Sequence, residues 1–334
     1  MHAARSATAA RPRNTRFGWY LARRIGQGLV VVLIVTLIVF ALLHLALPNG
    51  PAQGILGMTA SQEQIDAFNR EHGFDQPVWR QYLTFLTQLL QGDLGDSFKL
   101  NRPVADVIAQ RLPKTLILAL ISMVVALIVA IPMGIVQAVR RGKGVDTALT
   151  TLNFIVYSTP SFFLGLILVI VFAQTLGWFP AQAPQGDTVM EVLQKPQALV
   201  LPVATAAVGI IATLSRYMRS STIDNLSEDY VRTARAKGTP FAVVVRRHVV
   251  RNSLTPVIAM LGYYLPVMFG GMIVVESLFN YPGMGLLFWT SAQTSDYPVL
   301  LGCILVIALA TVVGSILADI IQALLNPRTR AEIS

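Results

Sequence analysis

Charge is scarce in this chain of 334 residues: only 13% are Asp, Glu, Lys or Arg, against about 25% in a soluble domain. Cysteine is scarcer still. Cys303 stands alone, which excludes a disulfide framework and any paired-cysteine metal site. No G-x-x-x-x-G-K-[ST] phosphate loop occurs. The nearest run, Arg141-Gly142-Lys143-Gly144, lacks the leading glycine spacing and the hydroxyl, so any ATP used must be hydrolysed by another chain. No HExxH pattern is present, and His2, His44, His72 and His248 are scattered. The expected cofactor and metal complement is therefore none, and an embedded enzyme finds no convergent acids or nucleophile in the apolar runs.

What the chain has instead is apolar length. Hydrophobic residues make up 54% of it, and mean hydropathy is +0.60. Charges are absent from whole blocks: 25–62, 115–139, 147–186, 196–215, 252–275 and 297–318 contain no Asp, Glu, Lys or Arg. Crossing a hydrocarbon layer of about 30 Å takes roughly 20 such residues in a helix. All six blocks reach that length, whereas buried helices of soluble enzymes are shorter and amphipathic. The first block follows a basic region, as in a signal peptide, but it is too long for one and no small-x-small site follows. The expected fold class is an all-α polytopic membrane protein with six transmembrane helices.

The net charge of +9 would point to nucleic acid or anionic lipid in a soluble protein; here its distribution carries the information. Lysines and arginines gather on the cytoplasmic side of a membrane protein. Nineteen lie before the first run, between the second and third, between the fourth and fifth, or after the last, against six in the alternate segments, with Lys114 at a boundary. Both termini are therefore expected in the cytoplasm. The resulting division is a basic N-terminus at 1–24, a first helix at 25–47 and an extracytoplasmic segment at 48–113. Further helices follow near 115–139, 147–176, 196–217, 255–275 and 297–320, with a cytoplasmic loop at 218–254 and a tail at 324–334.

In the outer segment, Ser61-Gln62-Glu63-Gln64 reads as a capping box and Gly73 as the residue past a helix end. A second helix from Pro77 places Val78, Tyr82, Phe85, Leu86 and Leu89 on one face. That stripe fits either packing on the chain's own helices or docking of a partner. Pro132 and Gly134, Pro160, Pro202, and Pro266 with Gly270-Gly271 punctuate the spans, inviting kinks and close helix contact. His44 reads as a helix-packing histidine. Glu276 fits either an intramembrane functional charge or an interfacial loop acid, and Asp319 is expected to cap its helix or pair with Arg328 or Arg330.

The cytoplasmic loop is ordered by its sequence. Asn225 reads as an N-cap with Glu228 three residues on. The helix from Asp229 to Lys237 has its acid first and its bases last, as the helix dipole favours. Gly238 follows as a stop, and Thr239-Pro240 begins another helix carrying Arg246, Arg247, His248 and Arg251. Tyr230, Val231 and Ala234 offer a small apolar face for a partner. A solvated basic hairpin on anionic headgroups fits the same residues equally well.

Residues 229–238, followed by Arg247-His248-Val249-Val250-Arg251-Asn252-Ser253-Leu254-Thr255-Pro256, resemble the cytoplasmic loop of dipeptide and oligopeptide ABC importer permeases. Tyr20-Leu21-Ala22-Arg23-Arg24, Gly73-Phe74-Asp75-Gln76-Pro77 and Gly92-Asp93-Leu94-Gly95-Asp96-Ser97 match in the same order. So do Pro160-Ser161-Phe162-Phe163-Leu164-Gly165, Glu276 through Gly285, and Asn326-Pro327-Arg328. The match covers roughly 18–330. It departs from the general importer motif at Arg232, where other importers place a glutamate, as is usual in the peptide branch.

The resemblance implies a type I ABC importer transmembrane domain over 111–323. It implies an ATPase-coupling helix carried by Asp229, Tyr230, Val231, Arg232, Thr233, Ala234, Lys237 and Gly238. An outer-gate region would be formed by Glu276, Phe279, Pro282, Gly283 and Gly285. Implied partners are a second homologous permease, two ABC ATPase subunits, an extracytoplasmic substrate-binding protein and membrane lipid, without nucleic acid. The implied cargo is di- or oligopeptides, with nickel chelates, glutathione, opines or oligosaccharides as alternatives, across the bacterial cytoplasmic membrane.

Overall fold

The structure, a computed structural model, describes residues 13–46, 51–57 and 59–325. Among them the regular elements are all helical, and the one bridge, between Asp96 and Pro103, is isolated. Four long apolar helices dominate: α1 (Arg13–Ala46), α5 (Val104–Val139), α9 (Pro196–Leu226) and α14 (Tyr297–Leu325). Helices α6 (Gly144–Ser158) and α7 (Ser161–Leu168), the latter continued by a π-helical turn (Val169–Thr175), form a bent pair that makes a fifth apolar span. With 29 residues and no charge between Asn252 and Val275, α12 (Val250–Leu278) has the length of the sixth.

Two expected spans differ in shape. The helix expected at 147–176 is broken by 109° between α6 and α7. Pro160 has no N–H to give and forces the preceding residue out of helical geometry, and Thr159 is extended, at φ −92° and ψ 130°. Pro132 and Pro202 stay inside unbroken helices. The helix expected from 115 begins eleven residues earlier, at Val104, and runs through Asp106, Arg111 and Lys114. Its 36 residues span about 54 Å, so the charged turns stand beyond the hydrocarbon layer.

The main core lies where α5, α9 and α12 meet. Leu118, Ala126 and Ala130 of α5 pack with Leu201, Leu214 and Met218 of α9 and with Val257 and Met272 of α12. Gly134 sets the spacing. A Cβ there would collide with the Met218 side chain, the Ser215 carbonyl and the Arg219 backbone nitrogen. Outside this core, α1 leans on α14, with Val32 against Leu305 and Ala308. The Arg24 guanidinium meets Asp319 at 2.7 Å. Arg328 and Arg330, the partners expected for Asp319, lie outside the described residues.

The outer segment folds onto this pair. It holds α2 (Ala52–Leu56), α3 (Gln62–Glu71) and α4 (Val78–Leu90), with α8 (Val189–Leu193) in the later outer loop. The Ser61–Gln64 capping box forms, and Gly73 adopts φ +72° past the end of α3. On α4, the Tyr82 hydroxyl lies 3.2 Å from the Thr36 hydroxyl, Phe85 packs by Phe40, and Leu89 joins the Val32 cluster. The stripe rests on α1, the chain's own helix, and of the five only Val78 is exposed. His44 is bound at both ring nitrogens, to the Phe40 carbonyl and to Gln81, each at 2.8 Å. A Gly134→Val variant should separate α5 from α9 and cost about 1–3 kcal/mol. Thermal unfolding in detergent should show this as a lowered midpoint; an unchanged midpoint would contradict the close approach.

Candidate functional site: a cytoplasmic helix and an outer corner

The segment expected in the cytoplasm grows out of α9. That helix runs on to Leu226, so Asn225 is not the expected cap. Its amide donates to the Ser221 carbonyl within α9, and its side-chain oxygen accepts the Tyr230 hydroxyl at 2.9 Å. The next helix, α10 (Asp229–Ala236), starts after an extended Glu228 with no side-chain cap. Lys237 closes it, and Gly238 takes φ +81°, a left-handed conformation that side chains resist. Nothing crowds Gly238, so backbone geometry alone requires it. The single turn α11 (Phe241–Val244) has Pro240 itself as N-cap, one residue later than expected. A π-helical turn (Val245–Val249) then feeds directly into α12.

The packing of α10 separates an inner from an outer face. Val231 is 4% exposed and packs on Val244 and Val249, with Tyr230 and Ala234 against the same cluster. This packing holds α10 to the chain's own α11 and π-helical turn, with Tyr230 and Ala234 half-buried beside Val231. The outward face is polar: Asp229, Arg232, Thr233, Arg235, Lys237 and Gly238 are exposed. Arg232 reaches Asp229 at 3.4 Å, but with both side chains in water the pair adds little. The Arg235 guanidinium lies 5.5 Å from the centre of the Phe241 ring, bracing the turn at Gly238.

At the far end of α12 the chain turns a tight corner into α13 (Met284–Gln293). Glu276 is fully buried there. One carboxylate oxygen accepts the Thr115 hydroxyl at 2.6 Å; the other accepts the Gly285 N–H at 2.6 Å and the Leu286 N–H at 3.3 Å. Thr115 in turn accepts the Met284 N–H at 2.8 Å. The first turn of a helix leaves N–H groups unpaired and partly positive, so the carboxylate and hydroxyl together satisfy the start of α13. Glu276, for which an intramembrane functional charge and an interfacial loop acid were both open, lies inside α12 and accepts N–H groups at the start of α13, binding α13 to α12 and α5.

The other corner residues follow from that contact. A Cβ on Gly283 would fall on the Glu276 carboxylate, and one on Gly285 on the Ile273 backbone. Phe279 and Pro282 are buried, and the Tyr281 hydroxyl donates to the Lys114 carbonyl at 2.8 Å. Residues 183–186 strap the outside: the Ala183 N–H donates to the Phe279 carbonyl, Gln185 to the Asn280 carbonyl, and Lys114 to the Gly186 carbonyl. Sequence reading missed Thr115, whose one signal was a hydroxyl opening an uncharged run. Among the described residues no three His, Cys, Asp or Glu side chains cluster as a metal site.

The family model of binding-protein-dependent transport system inner membrane components matches residues 130–331, and the model of its N-terminal part matches 17–119. The chain belongs to this transport family. Oligopeptide transport system permease protein AppB of Bacillus subtilis (strain 168) is 37% identical over 311 residues, covering 92% of this chain and 98% of the relative. Glutathione transport system permease protein GsiC of Escherichia coli (strain K12) is likewise 37% identical over 311 residues, covering 93% and 98%. The MetNI methionine ABC transporter in its inward-facing conformations gives a TM-score of 0.48 at 14% identity, over 64% of this chain and 96% of that one. The family assignment does not rest on that likeness.

Membership makes the chain an inner-membrane permease subunit, a transport component and not itself an enzyme, that works with ATPase and binding-protein partners. The π-helical turn and the Glu276 corner lie at opposite ends of α12, Val250 and Glu276 being about 39 Å apart by helical rise. A Thr115→Val variant removes a donor to Glu276 and an acceptor for Met284, so it should weaken docking of α13 by about 1–3 kcal/mol. Amide exchange at 284–287 should quicken while exchange in the α9 core does not. Equal protection in both proteins would show that the corner does not depend on this hydroxyl.

Proposed function

We propose that this permease is one half of an ABC importer that carries di- or oligopeptides into the bacterial cytoplasm. It pairs with a second homologous permease, engages two ATPase subunits through α10, and receives cargo from an extracytoplasmic binding protein. Both termini lie in the cytoplasm, which the bias of lysine and arginine supports. The observation that carries the reading is the build of α10. Its apolar face is spent on the chain's own cluster, so the exposed row from Asp229 to Gly238 is held at a fixed angle for another protein.

In this reading Asp229, Arg232, Thr233, Lys237 and Gly238 contact the ATPase, while Tyr230, Val231 and Ala234 position them. Closure of the ATPases moves α10 and, through the π-helical turn, α12. A shift from inward-open to outward-open requires contacts that differ between the two states, and the α10 contact provides them. The α12–α13 corner, with Glu276, Phe279, Pro282, Gly283 and Gly285, forms the outer gate region. The peptide cargo is supported by the relatives' names: one carries oligopeptides, and the other glutathione, itself a tripeptide.

Cargo is tested by purifying the assembly with its binding protein and measuring which labelled ligands are retained. Retention of short peptides is expected, and retention of an oligosaccharide or a metal chelate in their place would refute the cargo. Coupling is tested at Gly238. A valine at φ +81° is strained by about 1–2 kcal/mol, which should rotate the end of α10 and lower ATPase co-purification and uptake together. Survival of both would remove α10 from the coupling role.

A further inference from the structure

Four helix ends near the cytoplasmic loop are bolted together by polar contacts. Asp146, in the first turn of α6, is 4% exposed, yet it receives both prongs of the Arg219 guanidinium from α9, each at 2.8 Å. The same carboxylate accepts the Gly142 N–H of the α5–α6 turn at 3.0 Å and the Thr150 hydroxyl at 3.4 Å. Gln137 of α5 donates to Thr150 at 3.1 Å, and Asn153 of α6 donates to Ser215 of α9 at 2.8 Å. Ser253 of α12 reaches the Ser221 carbonyl at 3.4 Å. Arg219 is two turns before the end of α9, and the coupling segment starts there.

With Asp146 buried and the Arg219 side chain 29% exposed, this ion pair is a poor way to gain stability, because desolvating the carboxylate offsets much of the attraction. What two parallel hydrogen bonds add is geometry: they fix the roll of α9 against α6, which a greasy contact leaves free. Gly134 lets α5 come up to the Arg219 backbone, next to the start of the pair. We infer that the Asp146–Arg219 pair is the strut that makes α5, α6 and α9 move as one body when α10 is pushed. Asp146 and Arg219 are positioning residues in this role, touching neither cargo nor ATPase. The inference rests on the coupling role proposed for α10.

The test uses the complete complex in lipid nanodiscs and proteoliposomes, with ATPases, second permease and binding protein, and a labelled tripeptide as probe. Asp146→Asn and Arg219→Lys should assemble and hydrolyse ATP, while peptide moved per ATP falls about tenfold, within the usual range of coupling energies. Arg219→Lys keeps the charge and loses the two-pronged geometry, so a loss there separates the strut from mere charge balance. A merely structural contact would lower assembly and leave transport per ATP in the surviving complexes untouched. An unchanged ratio, or failure of both variants to assemble, overturns the strut. Failure of the wild-type permease to bind an ATPase would instead refute the role of α10.

Discussion

Helices in hydrocarbon gain nothing by hiding apolar side chains from an apolar solvent, so they are held by close backbone approach and buried polar contacts. The contact of α5 with α9 depends on this. Gly134 lets the two backbones meet, and Ser215 and Arg219 sit where they meet. From that seam the rest is placed. Through Asp146, α6 is drawn in; α12 packs across the seam; and α10 leaves α9 at an angle set by the Val231 cluster. The same rule governs the outer corner, where water cannot satisfy the first N–H groups of α13 and Glu276 and Thr115 satisfy them instead.

The sequence made legible whatever is local. Uncharged runs located the spans, and the Ser61–Gln64 box and Gly238 marked helix boundaries that the structure keeps. Proline was ambiguous because its effect depends on its neighbours. Pro160 breaks a span where Thr159 turns extended, while Pro132 and Pro202 are absorbed within their helices. The inward packing of α10 was not legible because Val231 needs Val244 and Val249, which return only after a turn no periodicity predicts. Thr115 and Glu276 are 161 residues apart and Asp146 and Arg219 73, so no spacing rule could join them. The Glu276–Gly285 motif was visible as a family likeness, but its cause was not. Gly283 and Gly285 are glycines because a carboxylate and a backbone occupy the space of their side chains.

Helix α12 joins these two levels. Its cytoplasmic end follows without a break from the π-helical turn that leaves the α10–α11 element, and its outer end carries the carboxylate that holds α13. A turn with one extra residue is a place where a helix can take up a small rotation without losing its ladder. The bulk of α12 beyond it has no such slack near the core, where Val257 and Met272 pack on α5 and α9. A push at α10 can thus be absorbed at Val245–Val249 or passed along α12 to the corner. Which of the two happens depends on whether α9 stays fixed to α6 while α10 moves. In the proposed coupling, a rolling α9 would take up the push locally, whereas a held α9 would leave α12 to carry it toward the Glu276 corner, the region proposed to open.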